Sequence, residues 1–571
     1  MAVFTDRPHR AALLLQLSLL ALAGGSAQAR QVDAGRALRE ASPPPPQVLP
    51  SPKLPALPVG PPDTAAAPAA AVRPGQAGFV LRKVRFNGNT AFDDATLAAL
   101  LAERIGQRVT LDDLRAMAER ITDHYRASRY VLTQTVVPQQ DVSNGEVELS
   151  VLEGRFARLR IERLDDVRVD DKVVEAIGAT LPRARPLSDR ELERTVLLLS
   201  DLPGMATQAS LEAGEAAGTY DLVVELKAVP RYNFSVDVDN QGTPSTGEYR
   251  AGALLRVNSP LGLGDNLDVR LLNSFGKGLN FGRLSYELPV GGNGLRTSLA
   301  YAHVQYELGR QFAELDANGA ADVLELAATY PLLRGRTRNL FAKAALEAKR
   351  LRDDIDAVAQ SARKQVVTAN AGLVWEQRDS RYGGGFTSVA VTAYAGQLDI
   401  RSASERAVDQ GPGGRRTGGR FVRASYQLSR LQAVSGNFNV YGALAGQWAN
   451  RNLDSADKIA VGGPRSVRAF SGATGIGDEA AIATAEGRWS VGADTSLSLF
   501  YDLGRVRFNH APLPGEANTR ILSGYGAGLY AALMPALSLR ASVAWPRRDS
   551  AAPAGGERSP RAYAQLVKTF N

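Results

Sequence analysis

Three rhythms of apolar and polar positions divide the chain. Up to about residue 78 no period is sustained, from 79 to 228 helical and strand spacings alternate, and from 229 to 571 a period of two dominates. In the middle section "FVLRKVRFNGNTAF" places Val84 and Phe86 two apart, ahead of the turn at Asn87-Gly88-Asn89, which predicts a half-buried strand. Leu97, Leu100 and Leu101, then Leu114, Met117, Ala118, Ile121 and Tyr125, recur at helical intervals and predict two helices. Thr110, ahead of Leu111-Asp112-Asp113, is the expected N-cap of the second. Two strands should follow, around Val131–Val137 and Glu146–Leu152, split by the turn at Ser143-Asn144-Gly145.

The same order then repeats. "RFARLRIERL" reads as a strand, "DDKVVEAIGATL" and "SDRELERTVLLLSDLPG" as helices, and "MATQASLEAG" and "TYDLVVELKA" as two more strands. Two tandem α+β units, 79–154 and 155–228, are a supersecondary array rather than one core.

Beyond residue 228 the helical period largely disappears. "NFSVDVDN", "DNLDVRLLNS", "FNVYGALAGQ" and "SLSLFYDLG" alternate between Gly, Asn, Asp and Ser clusters. A soluble sheet of that length would leave two unpaired edges, which closure removes. A membrane-crossing strand with its connection takes about 21 residues, so the segment 229–571 predicts about sixteen strands in an antiparallel transmembrane β-barrel. A soluble β-sandwich array is the alternative on pattern alone.

The first thirty residues change the picture of location. Arg7, His9 and Arg10 precede the apolar stretch Ala11–Ala23, and Ala27-Gln28-Ala29 supplies a small-x-small cleavage site. This reads as a signal peptide, residues 1–29, cut after Ala29. No later run of apolar residues is long enough for a membrane helix. Residues 31–41 can form a short helix, and the Pro- and Ala-rich stretch to Gly78 is an extended linker. Cysteine is absent, so no disulfide framework is available.

Charge and motifs narrow the chemistry. The net charge of +8 and pI near 9.5 invite a nucleic-acid partner. Basic and acidic residues are interleaved, however, so no nucleic acid is expected. Outside the signal peptide the histidines are His124, His303 and His510, too scattered for a metal site. Gly276-Lys277 lacks the rest of a P-loop, and no G-x-S-x-G elbow occurs. The reading is therefore of no enzyme, no cofactor, no metal and no nucleotide.

Four stretches in order carry a resemblance. "VPQQDVSNGEVELSVLEGRF", "LLLSDLPGMATQASLEAGEAAGTYDLVVEL", "VDVDNQGTPSTGEYRAGALLRVNSPLGLGDNL" and "SRLQAVSGNFNVYGALAGQWANRNLDSADKIAVGGPRSVRAF" resemble the outer-membrane transporters of two-partner secretion, the TpsB or haemolysin secretion/activation proteins. The resemblance implies two tandem POTRA domains in the periplasm, followed by a barrel among outer-membrane lipids. The implied partner is a secreted, TpsA-like exoprotein bound as an extended chain. It also implies a long loop, around 460–480, folded back into the barrel with Val467, Arg468, Ala469 and Phe470 at its tip. Ala469 stands where the family has glycine, so a positive φ there would be strained.

The family's partner for that arginine is an aspartate in a Phe-x-Asp-x-Gly strand, matched by Phe500, Asp502 and Gly504. Alternation places Leu497, Leu499, Tyr501 and Leu503 on one face and Ser498, Phe500, Asp502 and Gly504 on the other. A carboxylate on the lipid side is costly, so Asp502 is expected in the lumen, bound to Arg468. Gly462 and Gly463 are expected to let the loop fold back. The helix at 31–41 resembles the family's lumen plug, and it reads equally as a free tail. A barrel-assembly insertase and, less well, a passive porin are the rival readings. An insertase shares POTRA units and a similar loop motif, whereas a porin has no use for 150 residues of periplasmic modules.

Overall fold

The computed structural model describes residues 33–42, 78–276, 278–547 and 559–570. The expected signal peptide and most of the proline-rich linker lie outside the described residues.

The first unit comprises β1 (Phe79–Val80), β2 (Lys83–Asn87), β3 (Arg108–Val109), β4 (Gln134–Val136) and β5 (Glu146–Leu152). After the N-terminal helix α1 (Ala34–Ala41), two helices cover these strands, α2 (Asp94–Leu101) and α3 (Leu111–Ala127). Its main sheet runs β2-β5-β4, with β2 parallel and β4 antiparallel to β5. Thr110 caps α3 in a reciprocal box with Asp113. Leu97, Leu101, Leu114, Met117, Ala118, Ile121 and Tyr125 are buried in one core, with Leu100 at its margin. The strand expected over Val131–Val137 shrinks to Gln134–Val136, because Thr133 N donates to the Tyr130 carbonyl at 3.1 Å in a turn and Leu132 joins the next unit's core.

The second unit repeats the topology with β6 (Arg155–Arg163), α4 (Asp171–Gly178), α5 (Asp189–Ser200), β7 (Met205–Ala213) and β8 (Thr219–Ala228). Its sheet order is β6-β8-β7, again with a parallel and an antiparallel pair. Ser188 and Glu191 form the capping box of α5. Such boxes satisfy two orphan backbone donors each, which explains why both long helices start where they do. Each unit thus has its own apolar cluster, as tandem modules require.

Among the described residues, sixteen strands close into an antiparallel barrel. They begin β9 (Tyr232–Asp239), β10 (Arg250–Asn258), β11 (Asn266–Ser274), β12 (Leu279–Val290), β13 (Leu295–Glu307) and β14 (Ala317–Arg334). Next come β15 (Arg338–Ile355), β16 (Gln360–Asp379), β17 (Gly385–Ile400), β18 (Gly419–Ser435) and β19 (Phe438–Ala449). A long loop then carries the short pair β20 (Ile459–Ala460) and β21 (Ile476–Gly477). The barrel ends with β22 (Glu479–Ser490), β23 (Thr495–Arg507), β24 (Thr519–Met534), β25 (Leu537–Pro546) and β26 (Arg561–Phe570), which pairs with β9. Closure leaves no unpaired edge facing lipid.

The second unit grips three successive hairpin turns of the barrel. Asp170 N donates to the Gly262 carbonyl at 2.8 Å, between β10 and β11. Arg194 donates to the carbonyls of Asn293 (3.0 Å) and Pro331 (2.9 Å), between β12 and β13 and at the end of β14. Arg334 forks onto the Asp201 carboxylate at 2.8 and 2.7 Å. These turns therefore lie at the barrel end next to the modules, and the long loop lies at the other.

Candidate functional site: a clasped loop and a docked helix in the barrel lumen

The wall of the site is β23. Leu497, Leu499, Tyr501 and Leu503 are exposed on its outer face, whereas Phe500 is 5% exposed and Asp502 0%. Strand alternation alone separates the two sets. Asp502 therefore points into the lumen, where it needs partners.

Those partners come from the loop between β19 and β22. Arg468 donates from Nε to Asp502 Oδ2 at 2.8 Å and from Nη2 to Oδ1 at 2.9 Å. The Arg468 backbone N–H adds a third donor to Oδ2 at 3.1 Å, and Thr484 Oγ1 donates to Oδ1 at 3.0 Å. The remaining guanidinium nitrogen, Nη1, donates to Glu486 Oε2 at 3.0 Å. The Phe500 ring lies beneath, with its centroid 3.2 Å from Cζ. A planar fork on a carboxylate, stacked on an aromatic face, is the geometry that arginine supplies and lysine does not.

The backbone of the tip is fixed as tightly as the side chain. Val467 N donates to the Val461 carbonyl (2.9 Å) and Gly463 N to the Phe470 carbonyl (2.9 Å). Gly463 has φ +121, which the absence of Cβ permits. Gly462 keeps an ordinary φ, and a Cβ there would strike the Ser471 carbonyl. Val461, Val467, Ala469 and Phe470 pack with Phe500, Val506, Leu522 and Ala544 in one apolar cluster. Gly504 leaves the space that Val461 and Val467 occupy, since a Cβ there would lie 2.9 Å from Val467 Cγ2 and closer still to Val461. Ala469 is not among the residues of positive φ, so the methyl group is unstrained and seats against Gly524. All nine predicted positions thus meet in one place.

Sequence reasoning missed Thr484, Glu486 and Gly524. Strand β22 is rich in alanine, so its alternation is too faint to orient Glu486. The acidic residues of "LDSADKIAVGG" were also missed as structural anchors. Lys364 Nζ lies 2.8 Å from Asp454, Lys458 Nζ 2.9 Å from Asp478, and Lys349 and Arg423 are each 3.4 Å from Asp457. The pairs with Lys364, Lys349 and Arg423 moor the base of the loop to the lumen wall, and Lys458–Asp478 ties its two limbs together.

A second body sits beside the loop. The N-terminal helix α1, Ala34–Ala41, is capped by Asp33, which accepts from Arg36 N at 2.9 Å. Ala34, Ala37, Leu38 and Ala41 are buried against Phe281, Val304, Tyr306 and Leu453. Arg39 donates to the carbonyls of Ser455 and Lys458 in the loop base. Gly35 lies against Ala456, where any Cβ would collide with backbone. Ala34 N donates to Asp353 (2.6 Å), which Tyr306 also binds (2.7 Å), and Arg250 donates to the Glu40 carbonyl (3.1 Å). The helix is therefore docked among lumen-facing groups.

The histidines sit apart. His303 contacts Asp322 and His510 contacts Glu479, while His124 packs edge-on to Phe92 in the first unit.

Comparison with known proteins agrees with this architecture. The family model of the haemolysin secretion/activation protein ShlB/FhaC/HecB matches residues 218–531, and that of the ShlB-type POTRA domain matches 79–154. The heme/hemopexin transporter protein HuxB of Haemophilus influenzae is 27% identical over 485 residues, covering 83% of this chain and 84% of HuxB. The outer membrane transporter CdiB of Escherichia coli is 22% identical over 404 residues, covering 69% of this chain and 66% of CdiB. The solved structure of CdiB from Escherichia coli superposes with a TM-score of 0.71 at 20% identity, each chain covered in full. With POTRA-type modules ahead of a closed sixteen-stranded barrel, this chain belongs to the haemolysin secretion/activation family of outer-membrane transporters.

Proposed function

We propose that the protein secretes an unfolded partner exoprotein, captured in the periplasm by its POTRA domains, through the barrel to the cell exterior. Residues 1–29 direct export and are removed after Ala29, so the mature chain starts at Arg30. In the first POTRA domain β2 is an edge strand whose outer side has no strand partner among the described residues. Beside it a groove of about 650 Å³ runs to α2, lined by Val84, Phe86, Ala98 and Leu101 with Arg82 and Arg85 at its rim. An extended passenger segment adds to such an edge through main-chain hydrogen bonds and drops alternate side chains into the groove.

Inside the barrel, Arg468 is a latch and Asp502 its catch, with Gly462 and Gly463 as the hinge of the loop. The arriving passenger displaces α1 and releases the latch, and the lumen becomes a conduit. No nucleotide motif supplies a motor in this reading, so direction comes from the passenger's folding outside. The observation that carries the latch is the fork of Arg468 on the fully buried Asp502 inside a closed barrel. The test is co-expression with a candidate exoprotein. Arg468→Ala should lower its appearance in the medium while the barrel still assembles; normal secretion by that variant would remove the latch. General loss of outer-membrane barrels on depletion would point to an insertase instead.

A further inference from the structure

Along the outer face of β14–β18 the side chains change character within one step. On β15 the outward positions read Leu340, Ala342, Ala344, Leu346 and Ala348, followed by Arg350 and Arg352. Register sets Val367 opposite Ala348, Gln365 opposite Arg350 and Arg363 opposite Arg352 on β16. On β17 the series continues with Gln397, Asp399 and Arg401, and Arg420 of β18 lies opposite Gln397. The intervening Lys349, Leu351, Val366, Leu398 and Ile400 are buried in the lumen, which fixes the outward side by alternation. At about 3.3 Å per residue and a tilt near 40°, Leu340–Ala348 stands about 20 Å tall, close to the usual apolar band. The arginines begin where that band ends, at the end away from the POTRA domains.

The acids nearby do not balance them. Arg350, Arg352, Arg363, Arg401 and Arg420 face Asp322, Asp354 and Asp399. Asp354 is bonded to Arg352 and also faces Arg363, so one carboxylate serves two guanidiniums. Arg401 pairs with Asp399 at 3.0 Å, and Asp322 is shared by Tyr301 and His303. Among the described residues the Arg420 guanidinium has no hydrogen bond or ion pair. Like charges placed directly across two strands, as in Arg352 and Arg363, are unfavourable, and the single Asp354 carboxylate beside them leaves one positive charge uncompensated.

We propose that this rim binds an anionic lipid of the outer leaflet, a phosphate-bearing glycolipid of the lipid A class. Its acyl chains lie over Leu346, Ala348 and Val367, and its phosphates engage Arg350, Arg352, Arg363 and Arg401. The inference rests on the barrel's crossing the outer membrane with its module-side turns in the periplasm. The position of the cations directly above an apolar band selects a lipid over a free anion, which has no use for that band.

The experiment uses the full-length protein, folded in mild detergent, with bound lipid counted by native mass spectrometry. The probes are bis-phosphorylated lipid A, the same lipid after dephosphorylation, and inorganic phosphate as competitor. The variants are R352Q/R363Q and, as a control five strands away from β16, R505Q, since Arg505 faces outward on β23. Wild type and R505Q should bind lipid A alike, and R352Q/R363Q at least about tenfold more weakly. Dephosphorylated lipid should bind wild type at least as poorly, and inorganic phosphate should not displace lipid A. Equal binding by R352Q/R363Q, equal binding of dephosphorylated lipid, or displacement by phosphate alone would each overturn the assignment. Secretion is not the readout, so failure here leaves the proposed function standing.

Discussion

Replacing Asp502 by alanine should release the loop tip without unfolding the barrel. In the closed lumen Asp502 accepts from Arg468 Nε, Nη2 and backbone N, and from Thr484. Removing one partner of a fully buried pair costs about 3–5 kcal/mol. Arg468 would keep Glu486 at 3.0 Å and the Phe500 ring, and its side chain is 13% exposed, so part of the loss is recovered. We expect about 2–3 kcal/mol, a rise of roughly 30- to 150-fold in the population of the released loop. The chain has no cysteine, so a single Val467→Cys substitution reports that population cleanly. Val467 is 0% exposed, and its labelling by a water-soluble thiol reagent requires the tip to lift. Labelling should speed up by that factor in the Asp502→Ala background and by less with Asp502→Asn, while heat-modifiable migration on gels shows a folded barrel. An unchanged rate in a folded barrel would refute the claim that this carboxylate holds the loop.

Other perturbations test neighbouring parts. Gly504→Val should displace the tip through Val461 and Val467, raising the same labelling rate, whereas Gly492→Ala, in the open β22–β23 turn, should not. Deleting residues 31–60 should raise single-channel conductance in planar bilayers, and an unaltered conductance would deny α1 the role of plug. In the first POTRA domain, burial and the hydrogen bond to Glu153 push the Tyr125 phenol above its ordinary range. Its neutral form is favoured by folding, so that contribution is complete below about pH 10 and is lost as pH rises further. Tyr125→Phe should flatten the alkaline limb of the domain's thermal stability, followed by circular dichroism.

The parts of the site legible in advance were those with a strong local pattern. Leu497, Leu499, Tyr501 and Leu503 are large enough to mark a lipid face, and that alone turns Asp502 inward. Thr110 announces its helix because capping is chemistry between residues three apart. Glu486 was not legible, because its neighbours Ala485 and Gly487 have no preference for either face. Nor was the seat of α1 on Ser455–Asp457, since the two segments lie some four hundred positions apart and meet through small residues and backbone carbonyls. The tie between Asp201 and Arg334 was hidden for the same reason, as each is an ordinary surface charge until the fold brings them together.

That tie, with its companions at Gly262 and Asn293, has a bearing on how cargo arrives. Among the described residues these bonds hold the second module to the turns joining β10–β11, β12–β13 and β14–β15. Asp502 stands on β23, away from those turns around the barrel. In the transport path proposed above, a chain entering on the side of β23 would pass the Arg468–Asp502 pair without first crossing the strands that the module holds.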